Sequence, residues 1–112
     1  MKVILIDSKI ETVSLVDIPD DGTRLHVCRS LIDCRVIEQL GYIDEQHVLW
    51  AVEEGRFKID TTYFTIGRSG KICGKGIIIG IDADYKEMSC SLKTDDIRKL
   101  VIFHKLKKTN FG

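Results

Sequence analysis

Gly76-Ile77-Ile78-Ile79-Gly80-Ile81 is the stretch of sequence that decides the fold. It contains no polar side chain, and a short apolar run of β-branched residues is typical of a strand buried on both faces. The sequence therefore predicts a strand over residues 77–81 at the centre of the core.

Segments before this strand predict two hairpins. Residues 3–6 and 11–18 are β-rich and are separated by turn residues, and the second of them alternates between apolar and polar side chains. Residues 36–43 and 47–52 are also rich in apolar and aromatic side chains, with an acidic turn between them. We expect each pair of segments to form antiparallel strands.

Two short helices are predicted. After Asp21 or Thr23, either of which could cap a helix, the apolar residues recur at offsets of three, six and seven, as on one face of a helix. Thr94-Asp95-Asp96 provides a capping hydroxyl and two carboxylates ahead of a helix over 97–101. Residues 100–103 could instead begin a closing strand.

The remaining segments complete the predicted architecture. Residues 57–66 have no clear period, residues 67–76 are glycine-rich and predict a loop, residues 88–92 predict a short edge strand, and the basic tail from 105 is expected to fray. Together the segments predict one α+β domain over residues 1–112. Its mostly antiparallel or mixed β-sheet would be packed with one or two short helices.

Composition restricts the class of partner. The 112 residues include 17 basic and 17 acidic side chains, so no overall charge attracts nucleic acid, which makes that partner the least favoured. The first residues are too short an apolar run for a signal peptide or a membrane span. We therefore expect a soluble cytoplasmic protein with no membrane partner.

The loop at 67–76 is the segment most suited to a small ligand. It combines four glycines with Arg68, Lys71 and Lys75, and exposed amides and cations can hold a phosphate group. The spacing does not match a P-loop, since Gly76 follows Lys75 and a strand follows the loop. The alternatives are a phosphate or nucleotide site at these three cations and a mobile surface loop.

Reactive side chains do not form a recognisable motif. The spacing of the cysteines is not that of a metal site, and we expect them to be buried free thiols in a cytosolic protein: Cys28, Cys34, Cys73 and Cys90. His47 and His104 are expected to face solvent. The sequence therefore predicts no catalytic residue, no metal and no cofactor.

Tyr42 and Trp50 are the aromatic residues considered as partner contacts. Both lie in or beside predicted strands with polar neighbours, so each could be a core side chain or an anchor in a protein interface. A core position is favoured for Trp50.

Several segments, taken in order, resemble a family of small phage and mobile-element proteins of unknown function. They are the opening strand from Met1 to Asp7, Asp17-Ile18-Pro19-Asp20, Ile37-Glu38, Val52-Glu53-Glu54-Gly55, residues 76–80, and Leu92-Lys93-Thr94-Asp95-Asp96-Ile97. The resemblance implies a phage or prophage origin, hence the host cytoplasm, and no known catalytic residues. Small phage proteins often bind a host protein, which favours a non-catalytic binding role, with a homodimer through a strand edge as one arrangement.

Overall fold

The computed structural model describes residues 1–32, 37–52 and 62–105. In chain order its elements are β1 (Lys2–Asp7), β2 (Thr12–Asp17), α1 (Arg24–Ile32), β3 (Ile37–Asp44), β4 (His47–Val52), β5 (Thr62–Ile66), β6 (Ile72–Cys73), β7 (Lys75–Ile81), β8 (Glu87–Met88), α2 (Thr94–Leu100) and β9 (Val101–Lys105). Cys34, the start of the predicted 57–66 segment and the tail beyond Lys105 lie outside the described residues.

The larger sheet contains six strands and has β7 in its middle. Its order is β2-β1-β7-β4-β3, and β8 pairs with the end of β7. Both predicted hairpins are present, as β1-β2 and β3-β4, and every strand pairing among the described residues is antiparallel. The predicted α+β class is therefore confirmed, with antiparallel sheets.

The alternation along β7 explains why the isoleucine run is continuous. Ile77 and Ile79 belong to a buried cluster with Cys28 of α1, whereas Ile78 belongs to a second cluster with Phe64 of β5. The large sheet is thus a middle layer, with α1 on one face and a smaller sheet on the other. Both faces of β7 are covered, and each buried isoleucine contributes about 1.5–3 kcal/mol through burial.

The smaller sheet has the order β6-β5-β9, and its presence shortens the predicted loop: residues 67–71 lack regular structure as predicted, but strand begins at Ile72. Ile72 and Cys73 are buried and pair with β5, and β7 already begins at Lys75. Gly74, at φ +77°, lies between the two strands, in a backbone region that favours glycine. The apolar pair therefore forms a strand where glycine content predicted a loop.

The second helix begins earlier than its predicted cap allows. Its N-cap is Lys93, whose carbonyl accepts hydrogen bonds from the amides of Asp96 (3.1 Å) and Ile97 (3.2 Å), and no side chain caps the helix. Thr94 is the first helical residue, so its predicted capping role is wrong. The helix ends at Leu100 and β9 follows at once, which confirms the closing strand.

The helices of this fold are short. Within the described ranges, no helix combines the length and the apolar character needed to cross a bilayer. The predicted edge strand at 88–92 is also shorter than expected, since β8 contains only Glu87 and Met88.

Candidate functional site

The three cations predicted to share a phosphate lie in different environments. The Nζ atom of Lys71 lies 4.9 Å from the ring centroid of Tyr63, in a cation–π contact. The Nζ atom of Lys75 lies 3.9 Å from Oδ2 of Asp7 at the end of β1. Arg68 lines a groove at the edge of the large sheet. Of these three residues, only Arg68 is among the described lining residues of this groove.

This groove lies between β3 and the segment that follows β5, and we call it the β3 groove. Its volume is about 340 Å³. Its described lining residues come from β3, from the end of β5 and the turn after it, and from the end of α2: Leu40, Gly41, Tyr42, Ile43, Ile66, Gly67, Arg68, Ser69 and Leu100. The fold thus joins Tyr42 and Arg68, which the sequence singles out for two different roles.

A tight turn fixes the backbone of Arg68 at the groove. The amide of Ser69 donates to the carbonyl of Ile66 at 2.9 Å, and the amide of Ile66 donates to Oγ of Ser69 at 2.8 Å. Gly67 adopts φ +55°, and its amide donates to the carbonyl of Leu100 at 3.1 Å. These bonds attach the turn to the end of α2, so the groove has a defined wall.

The groove combines exposed apolar side chains with a single charge. Leu40, Tyr42 and Leu100 are 43%, 57% and 47% exposed, respectively. Arg68 is the one charged side chain among the described lining residues, and it forms no ion pair with any other described residue. Aromatic and arginine side chains are the types most enriched at binding hot spots.

The outer edge of β3 is open in the described part of the chain. β3 is the last strand of the large sheet, and β4 is its one described partner. Its register with β4 shifts between Gln39 and Gly41 and again between Tyr42 and Asp44, which marks two bulges or irregularities. An open edge presents unpaired amides and carbonyls that a further strand can use.

Trp50 lies away from this groove. It is half-buried on β4 and packs against the core cluster on the α1 side of the large sheet. The two aromatic residues considered as partner contacts therefore differ in environment: Tyr42 is among the lining residues of the groove, and Trp50 packs against the core.

A second cavity, of about 440 Å³, lies beside the other edge strand, β2. Its arginine, Arg98, is already engaged, because its guanidinium contacts Asp95 Oδ1 at 2.7 Å and donates to the carbonyl of Val13 at 3.0 Å. This arginine links α2 to β2. Arg68, by contrast, forms no ion pair with any other residue that the structure describes.

His47 is buried, so the prediction that it faces solvent is wrong. Only 3% of it is exposed, and its Nδ1 lies 2.8 Å from Oδ1 of Asp44. Its Nε2 accepts a hydrogen bond from the amide of Ser91 at 3.1 Å and lies 3.2 Å from Oγ of Ser91. His104, also expected to face solvent, is half-buried and stacks on Tyr63 at 4.5 Å between ring centroids.

Asp44, His47 and Ser91 have the residue types of a hydrolase triad. Their hydrogen bonds favour a structural role, in which they join two segments of the fold. Because Nε2 accepts the Ser91 amide, Nδ1 must hold the proton and donate it to Asp44. The Ser91 amide therefore competes with the Ser91 hydroxyl, 3.2 Å away, for the lone pair of Nε2. These hydrogen bonds connect the β3-β4 turn to the segment before α2. Among the described residues, no buried polar side-chain atom lacks a hydrogen-bond partner.

The Asp44 carboxyl and two cysteine thiols have shifted pKa values. Burial opposes ionisation of Asp44, but hydrogen bonds from the Gln46 amide and from His47 outweigh it, and the pKa of Asp44 is lowered overall. Burial raises the pKa of the Cys28 and Cys90 thiols. These two cysteines and Cys73 are buried free thiols, as predicted.

No group of three or more metal-ligating side chains occurs within residues 1–32, 37–52 and 62–105.

The features that sequence analysis missed are Leu40, Leu100 and the turn at 66–69. The one local signal was Gly67-Arg68-Ser69, a sequence typical of a tight turn; nothing local indicates that Leu100 lies beside it.

Comparison with known proteins identifies a family. A family model described as a domain of unknown function, DUF3846, matches residues 1–104. No curated protein and no solved structure matches the chain. The match covers nearly the whole sequence and confirms the resemblance to a family of unknown function, while the phage or mobile-element origin stays a prediction. The chain therefore belongs to the DUF3846 family.

Proposed function

We propose that this protein is a non-catalytic module that binds another protein at the β3 groove. The observation that supports this proposal is that Arg68, which pairs with no described acidic side chain, lines a groove with exposed apolar residues beside an edge of β3 that has no partner in the described part of the chain. The proposal includes the phage or mobile-element origin implied by the resemblance, and action in the cytoplasm of the host.

Site-specific photo-crosslinking tests the proposed binding surface. We would replace Tyr42 with p-benzoylphenylalanine in the cells that naturally encode the protein and irradiate them. Tyr85 provides the matched control, because it is also an exposed tyrosine (76%) but does not line the groove. We expect a discrete adduct of higher mass from position 42 and none from position 85.

Two outcomes would contradict the proposal. One is the absence of an adduct at position 42, and the other is the same set of adducts from both positions. The non-catalytic part is tested separately with a fluorophosphonate probe, which labels activated serines. We expect no labelling of Ser91, since the Ser91 amide occupies Nε2 of His47; labelling that His47→Ala abolishes would show an enzyme instead.

A further inference from the structure

The β3 groove has features that define the chemistry of its partner. We propose that it takes an extended peptide segment of another protein, which adds a strand to β3 and places a carboxylate on Arg68. This inference rests on the proposed function and specifies its partner.

The open edge supports an extended conformation. β3 is an eight-residue strand, long enough to align several backbone groups with an added strand. Strand addition of this kind obtains affinity from main-chain hydrogen bonds and specificity from alternate side chains. Leu40, Tyr42 and Leu100 provide apolar surface next to that edge for such side chains.

The charge of the groove supports a carboxylate. Arg68 is exposed, and no described acidic side chain pairs with it. A guanidinium binds a carboxylate through two parallel hydrogen bonds, and neighbouring apolar groups strengthen such a pair by reducing its contact with water. The hydrogen bonds of the 66–69 turn already hold the backbone of Arg68 in place, so binding costs little backbone conformational entropy.

The irregular register of β3 favours a different chain over a second copy. A symmetric dimer through β3 would pair two identical edges, and both would have register shifts at the same two places. Bulges of this kind are a common protection against edge-to-edge pairing. A short peptide needs to pair with only a few residues of β3, whereas two copies of the strand would have to accommodate both irregularities twice.

Peptide selection on the full-length protein tests the inference. The probe is a display library of random heptapeptides, presented both internally and with free C-termini. We expect the selected peptides to be enriched in Asp or Glu, or to use the terminal carboxylate, next to apolar residues. Arg68→Glu should weaken their binding about tenfold or more. Arg29→Glu, which changes an exposed arginine of α1, should leave it unchanged.

Strand addition is tested by methylating alternate backbone amides of the best peptide. We expect one methylated series to lose at least tenfold in affinity, because methylation removes the donors that pair with β3. The inference is overturned if no acidic peptide is enriched, if Arg68→Glu binds the selected peptides equally well, or if neither methylated series binds more weakly. Sedimentation showing a dimer that Leu40→Asp dissociates would overturn it too.

Failure of this inference and failure of the proposed function give different results. If peptide selection fails while position 42 still forms its adduct in cells, the protein binds a partner of other chemistry. If position 42 forms no adduct, the binding function itself is wrong.

Discussion

Gly80 lies where β7 passes against the backbone of the segment that follows β8. A Cβ atom at this position would be 2.5 Å from the carbonyl oxygen of Ser89 and 3.0 Å from Cγ of Met88. We expect Gly80→Ala to lower the free energy of unfolding by about 2 kcal/mol, because backbone must move to make room. Urea unfolding measures this change.

The matched control for this substitution is Gly22→Ala. A Cβ atom at Gly22 would meet nothing within 4 Å, and its φ is not in the left-handed region. The control should change stability by less than about 0.5 kcal/mol. Equal losses from the two variants would show that close approach is not the reason for glycine at position 80.

Asp44 should make stability depend on pH in the acid range. Its pKa is lowered in the folded protein, because hydrogen bonds from the Gln46 amide and from His47 outweigh the effect of burial. The unfolded chain therefore binds a proton more readily than the folded chain. The stabilisation is complete above the ordinary Asp pKa of about 3.9 and is lost as pH falls through the lower, folded value.

Asp44→Asn isolates this contribution, since the amide oxygen can still accept hydrogen bonds without a charge. Above pH 5 we expect the variant to be less stable by about 1 kcal/mol, a small value because the carboxylate is 46% exposed. The difference from wild type should shrink as pH falls below 3.9. Chemical unfolding at a series of pH values checks this, and a difference that grows toward acid would contradict it.

The helix α2 begins at an N-cap residue whose side chain does not cap it. Lys93 occupies the N-cap position with extended backbone angles (φ −87°, ψ 139°) and no capping hydrogen bond from a side chain. Lys93→Asp should raise the free energy of unfolding by about 1 kcal/mol, because the carboxylate can accept an orphan amide and interacts favourably with the helix dipole.

Thr94→Ala separates this interpretation from the predicted Thr94 cap. If Thr94 capped the helix, its loss would cost about 1 kcal/mol, whereas a first-turn residue should change little. Thermal unfolding of both variants decides between the two positions. A stabilised Lys93→Asp together with a neutral Thr94→Ala is the result the structure predicts.

Local periodicity is sufficient for the elements that pair with close neighbours in sequence. The alternation over residues 11–18 gives β2, whose register with β1 runs from Lys2 opposite Asp17 to Asp7 opposite Thr12. The helical spacing after Thr23 gives α1. For β2 a short turn also brings the strand back beside β1, so the pattern and the pairing are specified together, whereas α1 packs on β7, which lies far along the sequence.

The smaller sheet could not be predicted in this way. β6 contains only Ile72 and Cys73, which is too short for any period to be recognised. β5 pairs with β9, with Phe64 opposite Phe103, across a long separation in sequence. Such pairing forms because the smaller sheet covers one face of β7. The sequence of β7 alone does not show whether a helix or a second sheet covers that face.

At the scale of the whole molecule, the candidate site follows from this covering layer. Tyr42 on β3 and Arg68 after β5 were singled out separately by residue type, but their proximity depends on the turn that attaches to Leu100. Lys71 and Lys75, the other two cations of the predicted phosphate loop, are not among the described lining residues of this groove.

Nucleotide binding, the alternative function, gives a prediction about the molecule as a whole. Lys71 contacts the Tyr63 ring and Lys75 lies near Asp7, so a phosphate at residues 67–76 would have to draw cations from existing contacts. We expect ATP, GTP and inorganic phosphate at millimolar concentration to leave the melting temperature unchanged. Bound ligand at a hundred times its Kd would add about 2.7 kcal/mol, a shift that thermal denaturation detects easily.

Lys71→Ala provides the decisive comparison for this alternative. It removes a cation from the segment but only an exposed cation–π contact from the fold, so the variant should be less stable by no more than about 1 kcal/mol. A nucleotide that raises the melting temperature of the wild type and not of Lys71→Ala would restore the phosphate site. A phosphate bound by these cations would have to compete with the contact of Lys71 with Tyr63 and with that of Lys75 with Asp7.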